Sequence, residues 1–318
     1  MRRAAIAALM LAMAGAAGAQ AERFDGGLSA SGIAAAMRPL RLPPEVRRLT
    51  DVAYGPEMRQ RFDVYLPRSG PPWPRGAPII VMVHGGAWMI GNKALPQVVE
   101  NKVAHWVTRP AGQGAIFVSI NYRLVPQVTP LQQADDVARA IAKVQALAES
   151  WGGDPDRVVL MGHSAGAHLV ALVSASPVFA QRAGAKPWRG TVVLDSAALN
   201  LVSLMSAPHA RFYDRVFGND PALWQAASPY YSVEAGGPPM LLVCSTQRPD
   251  RSCEQSATFA ARASARGLRV SVSAQNLSHG EVNFNLGLPG DETDTVDAFL
   301  ASIGVSWKDP SSASSTRP

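Results

Sequence analysis

Only two cysteines, Cys244 and Cys253, and six histidines occur in the 318 residues. Two cysteines allow at most one disulfide. No Cys/His or His/carboxylate spacing is that of a metal site. Gly152-Gly153-Asp154-Pro155-Asp156 is too short and too poor in ligands for a calcium loop. No G-x-G-x-x-G stands in the chain, so the dinucleotide fingerprint is missing. The residues therefore call for no metal and no cofactor. Basic runs are lacking too. The net charge of +6 comes from dispersed, mostly arginine side chains, which is a solvated basic surface and not a nucleic-acid footprint. There is no internal repeat, and no long hydrophobic run suited to a membrane span. The apolar stretch from Ala4 to Ala17 is too short and too rich in alanine.

That stretch has another reading. Arg2-Arg3 precede it, and Ala17-Gly18-Ala19 and Ala19-Gln20-Ala21 follow it as A-x-A cleavage sites, which together predict a secretory signal peptide over residues 1–21. Its removal takes two arginines and no acid, so the charge falls from +6 to +4. The mature protein is then periplasmic or secreted, and a disulfide between the two cysteines fits that compartment. Residues 22–49 read as a leader, interrupted by Pro39, Pro43 and Pro44. Residues 306–318 have no apolar periodicity and read as a disordered tail.

Between them, 50–305 reads as one domain. Thr50–Tyr54 and Arg61–Leu66 form a hairpin whose second strand alternates as a half-exposed antiparallel strand would. Continuous apolar runs at 78–83, 115–120, 156–160, 190–194 and 239–244 predict buried strands. A further strand is predicted at 269–273. Helical stretches at 95–108, 130–149, 165–173, 254–267 and 291–302 alternate with them. Residues 200–235, rich in proline, serine and aromatics, read as short helices forming a cap. The fold class is α/β, a mostly parallel, eight-stranded doubly wound sheet with a small helical cap.

The chemistry centres on Gly162-His163-Ser164-Ala165-Gly166, between a buried strand and a helix. This is a G-x-S-x-G elbow in its confirming context, with Ser164 as the nucleophile. A serine hydroxyl needs a base, and the base needs an acid to orient it. The base is expected in the loop after the last strand, where His279 stands. The acid is expected in the loop after strand 240–244, whose only carboxylate is Asp250; as a plain helix N-cap it has a second reading. Cys244 and Cys253 flank that loop, so a disulfide between them would staple it. His84-Gly85-Gly86-Ala87 closes a buried strand, and the N–H groups of Gly86, Ala87 and Ala165 are the candidate oxyanion donors. Trp88 and Tyr122 line or support an acyl pocket, and Arg123 with Asp135 or Asp136 reads as a scaffold ion pair.

His84-Gly85-Gly86-Ala87-Trp88, Asn121-Tyr122-Arg123, Gly152-Gly153-Asp154-Pro155 and the elbow, taken together, resemble the α/β-hydrolase carboxylesterases of the hormone-sensitive-lipase and arylformamidase type. The nearest likeness is to the feruloyl/acetylxylan-esterase-like (BD-FAE) branch. Asp63-Val64-Tyr65-Leu66-Pro67, Leu194-Asp195-Ser196-Ala197 and Ser228-Pro229 fit the same pattern. One departure stands out. Where the family has Gly-x-x-Asp after the acid-bearing strand, this chain has Ser245 for the glycine and Arg248 for the aspartate. The resemblance implies an α/β-hydrolase fold and ester hydrolysis without fixing the substrate; the signal peptide favours an exported esterase acting on small or polymer-attached esters, with short-chain or aromatic acyl groups expected. Arylformamidase or lipase action is the alternative within enzymes, and a catalytically weak binding protein the alternative outside them. The dispersed charge and the short apolar stretch, read from the residues themselves, predict no nucleic-acid partner and no stable membrane span.

Overall fold

Strand formation follows the apolar runs. In Ala77–Val83 every residue is buried, because the strand has neighbours on both sides and helices on both faces. Successive side chains point to opposite faces. Ile79, Val81 and Val83 join one core with the helices that follow the second and third parallel strands, while Ile80 and Met82 join the other.

The computed structural model describes residues 38–68, 76–109 and 114–305. The signal peptide, most of the leader and the tail expected from the sequence lie outside these residues. Eight strands form one sheet: β1 (Val46–Ala53), β2 (Arg61–Pro67), β3 (Ala77–Val83), β4 (Ile116–Ile120), β5 (Gly153–His163), β6 (Gly190–Leu194), β7 (Met240–Ser245) and β8 (Val270–Gln275). Their spatial order is β1-β2-β4-β3-β5-β6-β7-β8. The β1–β2 and β2–β4 pairs are antiparallel and all others parallel. The eight-stranded, mostly parallel α/β architecture expected from the sequence is thus present.

The hairpin differs in one respect. Both faces of β2 are buried, with Phe62, Val64 and Leu66 in one core and Tyr65 in the other. Asp63 tolerates this by pairing with Lys93 (2.7 Å) and Arg48 (2.5 Å) and accepting the N–H of Asp51 (2.9 Å). Tyr65 packs on Phe117.

Helices follow the parallel strands: α1 (Pro96–Trp106), α2 (Pro130–Leu147), α3 (Ala165–Ala175) and α4 (Pro177–Ala183). Thr129 starts α2 through a reciprocal capping box with Gln132, and Pro130 occupies the first turn. All of α3 is buried, as its lack of a polar face requires. Between β6 and β7 lie four short helices, α5 (Leu201–Met205), α6 (Phe212–Phe217), α7 (Pro221–Ala226) and α8 (Pro229–Ser232). Phe212, Tyr213 and Phe217 pack on Trp88. The cap therefore covers the segment that leaves β3. The remaining helices are α9 (Ser252–Ala265), α10 (Glu281–Phe284) and α11 (Asp291–Ser302).

Candidate active site

β5 ends at His163 and α3 begins at Ala165, leaving Ser164 alone in the turn at φ 55°, ψ −116°. A non-glycine residue with positive φ is strained, and the surroundings hold it there. The Ser164 N–H donates to Leu194 O (2.9 Å) and its carbonyl accepts from His168 N–H (3.0 Å). A Cβ at Gly162 would lie 2.4 Å from Gly166 O, and one at Gly166 would lie 2.2 Å from Val83 O. Both glycines are required by close backbone approach, as the elbow motif implies.

His279 lies in the loop between β8 and α10, with its side chain 12% exposed. Its carbonyl is 2.9 Å from His163 Nε2, which donates. The two imidazole rings lie 4.6 Å apart. Burial, with the neighbouring His279, pushes His163 well below the ordinary histidine range, so it is a neutral donor. At Nδ1, His279 meets a carboxylate at 2.6 Å, and that carboxylate is Asp195 Oδ2.

This corrects the expectation for Asp250. The Asp250 carboxylate engages Arg248 through Oδ1 (2.7 Å) and Oδ2, and it is Asp195, fully buried at the end of β6, that faces His279. The physical reason lies in the sheet. β6 and β7 are neighbours, so the loops at their C-terminal ends open side by side and either can supply the acid. Asp195 stands immediately after β6 at φ 56°, donates its N–H to Val243 O (2.7 Å) and accepts the N–H of Ser245 at Oδ1 (2.9 Å). Burial alone would raise its pKa. The hydrogen bond from His279, the Arg248 charge and the Ser245 N–H outweigh burial and hold it well below the usual carboxylate range. Arg248, at the position of the family aspartate, sends Nη1 to Asp195 Oδ2 (3.1 Å), Asp195 O (3.0 Å) and the vicinity of His279 Nδ1 (2.8 Å).

Cys244 and Cys253 are joined, with Cα atoms 5.1 Å apart. The disulfide spans the loop that carries Arg248 and Asp250, as the spacing suggested.

Gly86, Ala87 and Trp88 have φ of 123°, 47° and 61°. Three successive residues in this region turn the chain sharply after β3. A Cβ on Gly85 would lie 3.1 Å from Ser164 Cβ, which brings this segment against the elbow. The N–H groups of Gly86 and Ala87 donate to no backbone carbonyl among the described residues. Ala165 opens α3, where the first N–H groups lack intrahelical acceptors. Trp88 and Tyr122 are buried and support this segment. Trp88 is 3% exposed, donates Nε1 to His168 Nδ1 (3.1 Å) and packs on Phe217. Tyr122 is fully buried, donates to His84 O (3.0 Å) and stacks on His84 at 4.5 Å. Arg123 pairs with Asp136, while Asp135 pairs with Arg182. An open cleft of about 610 Å³ reaches His279; Tyr213, Arg248, Asp250, Asn200 and Gln255 are among its walls.

Residues 62–262 match the BD-FAE family. The chain belongs to the BD-FAE family. This BD-FAE chain is 33% identical to esterase LipQ of Mycobacterium tuberculosis over 269 residues, 80% of this chain and 62% of LipQ. It is 38% identical to a probable isoprenylcysteine alpha-carbonyl methylesterase of Oryza sativa over 123 residues, 39% of this chain and 27% of the relative. It thus spans less than two thirds of the length of either. Esterase B of Lactobacillus rhamnosis superposes with a TM-score of 0.68 at 20% identity, covering 95% of each chain. That likeness establishes an α/β-hydrolase fold.

Of the expected site residues, Ser164, His279 and the Gly86–Ala87 segment all lie at the C-terminal ends of the parallel strands. Asp195, Arg248 and His163 escaped the reading as site residues. The available signal was a carboxylate at the first position after a continuous apolar strand.

Proposed function

We propose that this protein is a carboxylesterase in which Ser164 is the nucleophile, His279 the base and Asp195 the orienting acid. The observation that carries the reading is the 2.6 Å contact between His279 Nδ1 and Asp195 Oδ2, with Ser164 held in the strained elbow conformation immediately after His163, whose ring packs on that of His279. A contact this short needs a proton between the atoms, which places it on Nδ1 and leaves Nε2 as the acceptor. Ser164 Oγ then attacks the ester carbonyl as Nε2 takes its proton. The tetrahedral oxygen is stabilised by the N–H groups of Gly86, Ala87 and Ala165. His279 returns the proton to the departing alcohol. Water attacks the acyl-serine by the same steps in reverse roles, releasing the acid and restoring Ser164.

The names of LipQ and the methylesterase support an ester substrate. The acyl group is short-chain or aromatic, on a small or polymer-attached alcohol, and residues 50–305 act as one catalytic domain. The protein works after export, a reading supported by the N-terminal sequence and by the disulfide.

A p-nitrophenyl ester series from acetate to palmitate tests this. The native protein should favour short chains, and Ser164→Ala should be inactive. Asp195→Asn should lose roughly 10³–10⁴-fold in kcat, because the imidazole is released to the wrong tautomer. Asp250→Asn, whose partner is a guanidinium and not His279, should cost less than about tenfold. Equal loss in the two Asp variants would return the acid role to Asp250. No hydrolysis of any ester would overturn the reading.

A further inference from the structure

Arg248 is absent from the machinery just described, yet its guanidinium is the group packed most closely against the His279–Asp195 pair. Its side chain is 11% exposed. Nη1 lies 3.1 Å from Asp195 Oδ2, 3.0 Å from Asp195 O and 2.8 Å from His279 Nδ1, while Nε and Nη2 grip Asp250. A ring nitrogen that carries a hydrogen cannot also accept one. If Nδ1–H donates to Asp195, the nearby Nη1 donates only to Asp195, and its charge simply faces the ring. The arrangement is then carboxylate and guanidinium side by side on the same edge of the imidazole. The first favours the imidazolium and the second opposes it.

We propose that Arg248 is a positioning residue that clamps Asp195 against His279 and offsets the Asp195 charge felt by the imidazole. The inference rests on the triad reading above. Two features support a built device. The loop that carries Arg248 is tied at both ends by the Cys244–Cys253 disulfide. Asp250, on the same loop, holds the other edge of the guanidinium, which fixes its plane. Burial works against the charge on Arg248, but the Asp250 hydrogen bonds and the Asp195 and Asp250 charges raise its pKa above the ordinary arginine value. It is therefore charged at every working pH.

Other charged and titratable groups surround the pair. His163 faces His279 from β5 and is neutral. Glu281, the first residue of α10, accepts from the N–H and hydroxyl of Ser278. Tyr213 of α6 lies beside Arg248, and burial raises its hydroxyl above the ordinary tyrosine value. Lys102 of α1 and Glu292 of α11 act from the buried side, on His163 and Asp195 respectively. Among these groups Arg248 is the cation in contact with both members of the pair.

The test compares Arg248→Met, Arg248→Lys and Asp250→Asn with the native protein, full-length and disulfide-intact. Two readouts are used: the acid limb of kcat/KM on p-nitrophenyl acetate, and the proton NMR titration of the His279 Cε1–H. Losing the cation in Arg248→Met should raise the His279 midpoint by about one to two pH units. Arg248→Lys should stay near the native midpoint. Asp250→Asn removes a compensating negative charge and should move the midpoint down. A purely structural arginine would produce no such shifts of opposite sign. Unchanged midpoints in both Arg248→Met and Asp250→Asn overturn the proposal, with the triad reading intact if Ser164→Ala is inactive. Conversely, the NMR shifts without ester hydrolysis by the native protein would overturn the triad reading and leave the electrostatic role standing. Should Arg248→Met fail to fold, Asp250→Asn and Arg248→Lys still decide: a lysine midpoint raised as far as expected for methionine, or no downward shift for asparagine, counts against the proposal.

Discussion

At the residue scale, the site depends on backbone conformations that ordinary side chains resist. Ser164, Asp195, Ala87 and Trp88 all have positive φ without being glycine. Each sits at the end of a parallel strand or one turn beyond it, where the surrounding sheet and helices over-determine the geometry. Gly86 shows why some of these positions tolerate no side chain at all. At φ 123° its missing Cβ would stand 2.3 Å from Ile90 O. Gly86→Ala must therefore move the segment that carries the Gly86 and Ala87 N–H groups. Losing one aligned donor should lower kcat by roughly 10²–10³-fold, with KM changed far less. Steady-state kinetics on p-nitrophenyl acetate, with circular dichroism to confirm the fold, would check this. A Gly86→Ala protein with native kcat would remove the segment from the chemistry. The histidines divide just as sharply. His84 is pushed down to about 3 by burial and the Arg59 charge, and His168 to about 4 by burial. Both are neutral braces, one under Tyr122 and the other under Trp88.

At the element scale, the loop from β7 to α9 is the unit that matters. It is short, it is closed by the Cys244–Cys253 disulfide with a sequence separation of 9, and Ser252 at its end donates to Ser245 O (3.2 Å). Ser245 also donates its hydroxyl to Leu277 O (2.5 Å), which ties this loop to the one bearing His279. Closing a loop of this length contributes about 2–3 kcal/mol in the chain-entropy account. Replacing both cysteines by alanine should lower Tm by several degrees and should also reduce kcat, because Ser245 and Arg248 both hold Asp195. Calorimetry and ester kinetics on the same preparation would measure the two effects. A lower Tm with kcat untouched would show that the staple serves stability alone. The α3 helix makes the complementary point: it has no polar face, so burial decides its place, and its N-terminus is delivered to Ser164 as a consequence.

At the scale of the whole molecule, the buried interior carries an electrostatic cost at Glu292. Glu292, 5% exposed at the start of α11, has both carboxylate oxygens buried without a hydrogen-bond partner among the described residues, and burial pushes its pKa up to about 8. Lys102 opposes that rise, and burial in turn pushes Lys102 down to about 7. A folded-state value raised above the unfolded one gives stability that is complete below the unfolded pKa and is lost as pH climbs through the folded one. Glu292→Gln should therefore raise Tm most near pH 8 and leave it unchanged near pH 4. Thermal melts across that range would test the sign, and a benefit greatest at acid pH would contradict it. The same scale separates what was legible in the chain from what was not. Continuous apolar runs, capping residues and the glycines of the elbow act over a few neighbours, so the sequence alone determined the parallel strands, the order of helices, the elbow turn at Ser164 and the loop that bears His279. The alternation in Arg61–Leu66 suggested an exposed face, and the core that takes in Tyr65 covers it. The choice between Asp195 and Asp250 needed the third dimension. Both carboxylates follow buried strands, and only the adjacency of β6 and β7, with Arg248 turned inward to hold Asp250 away, decides which one reaches the imidazole.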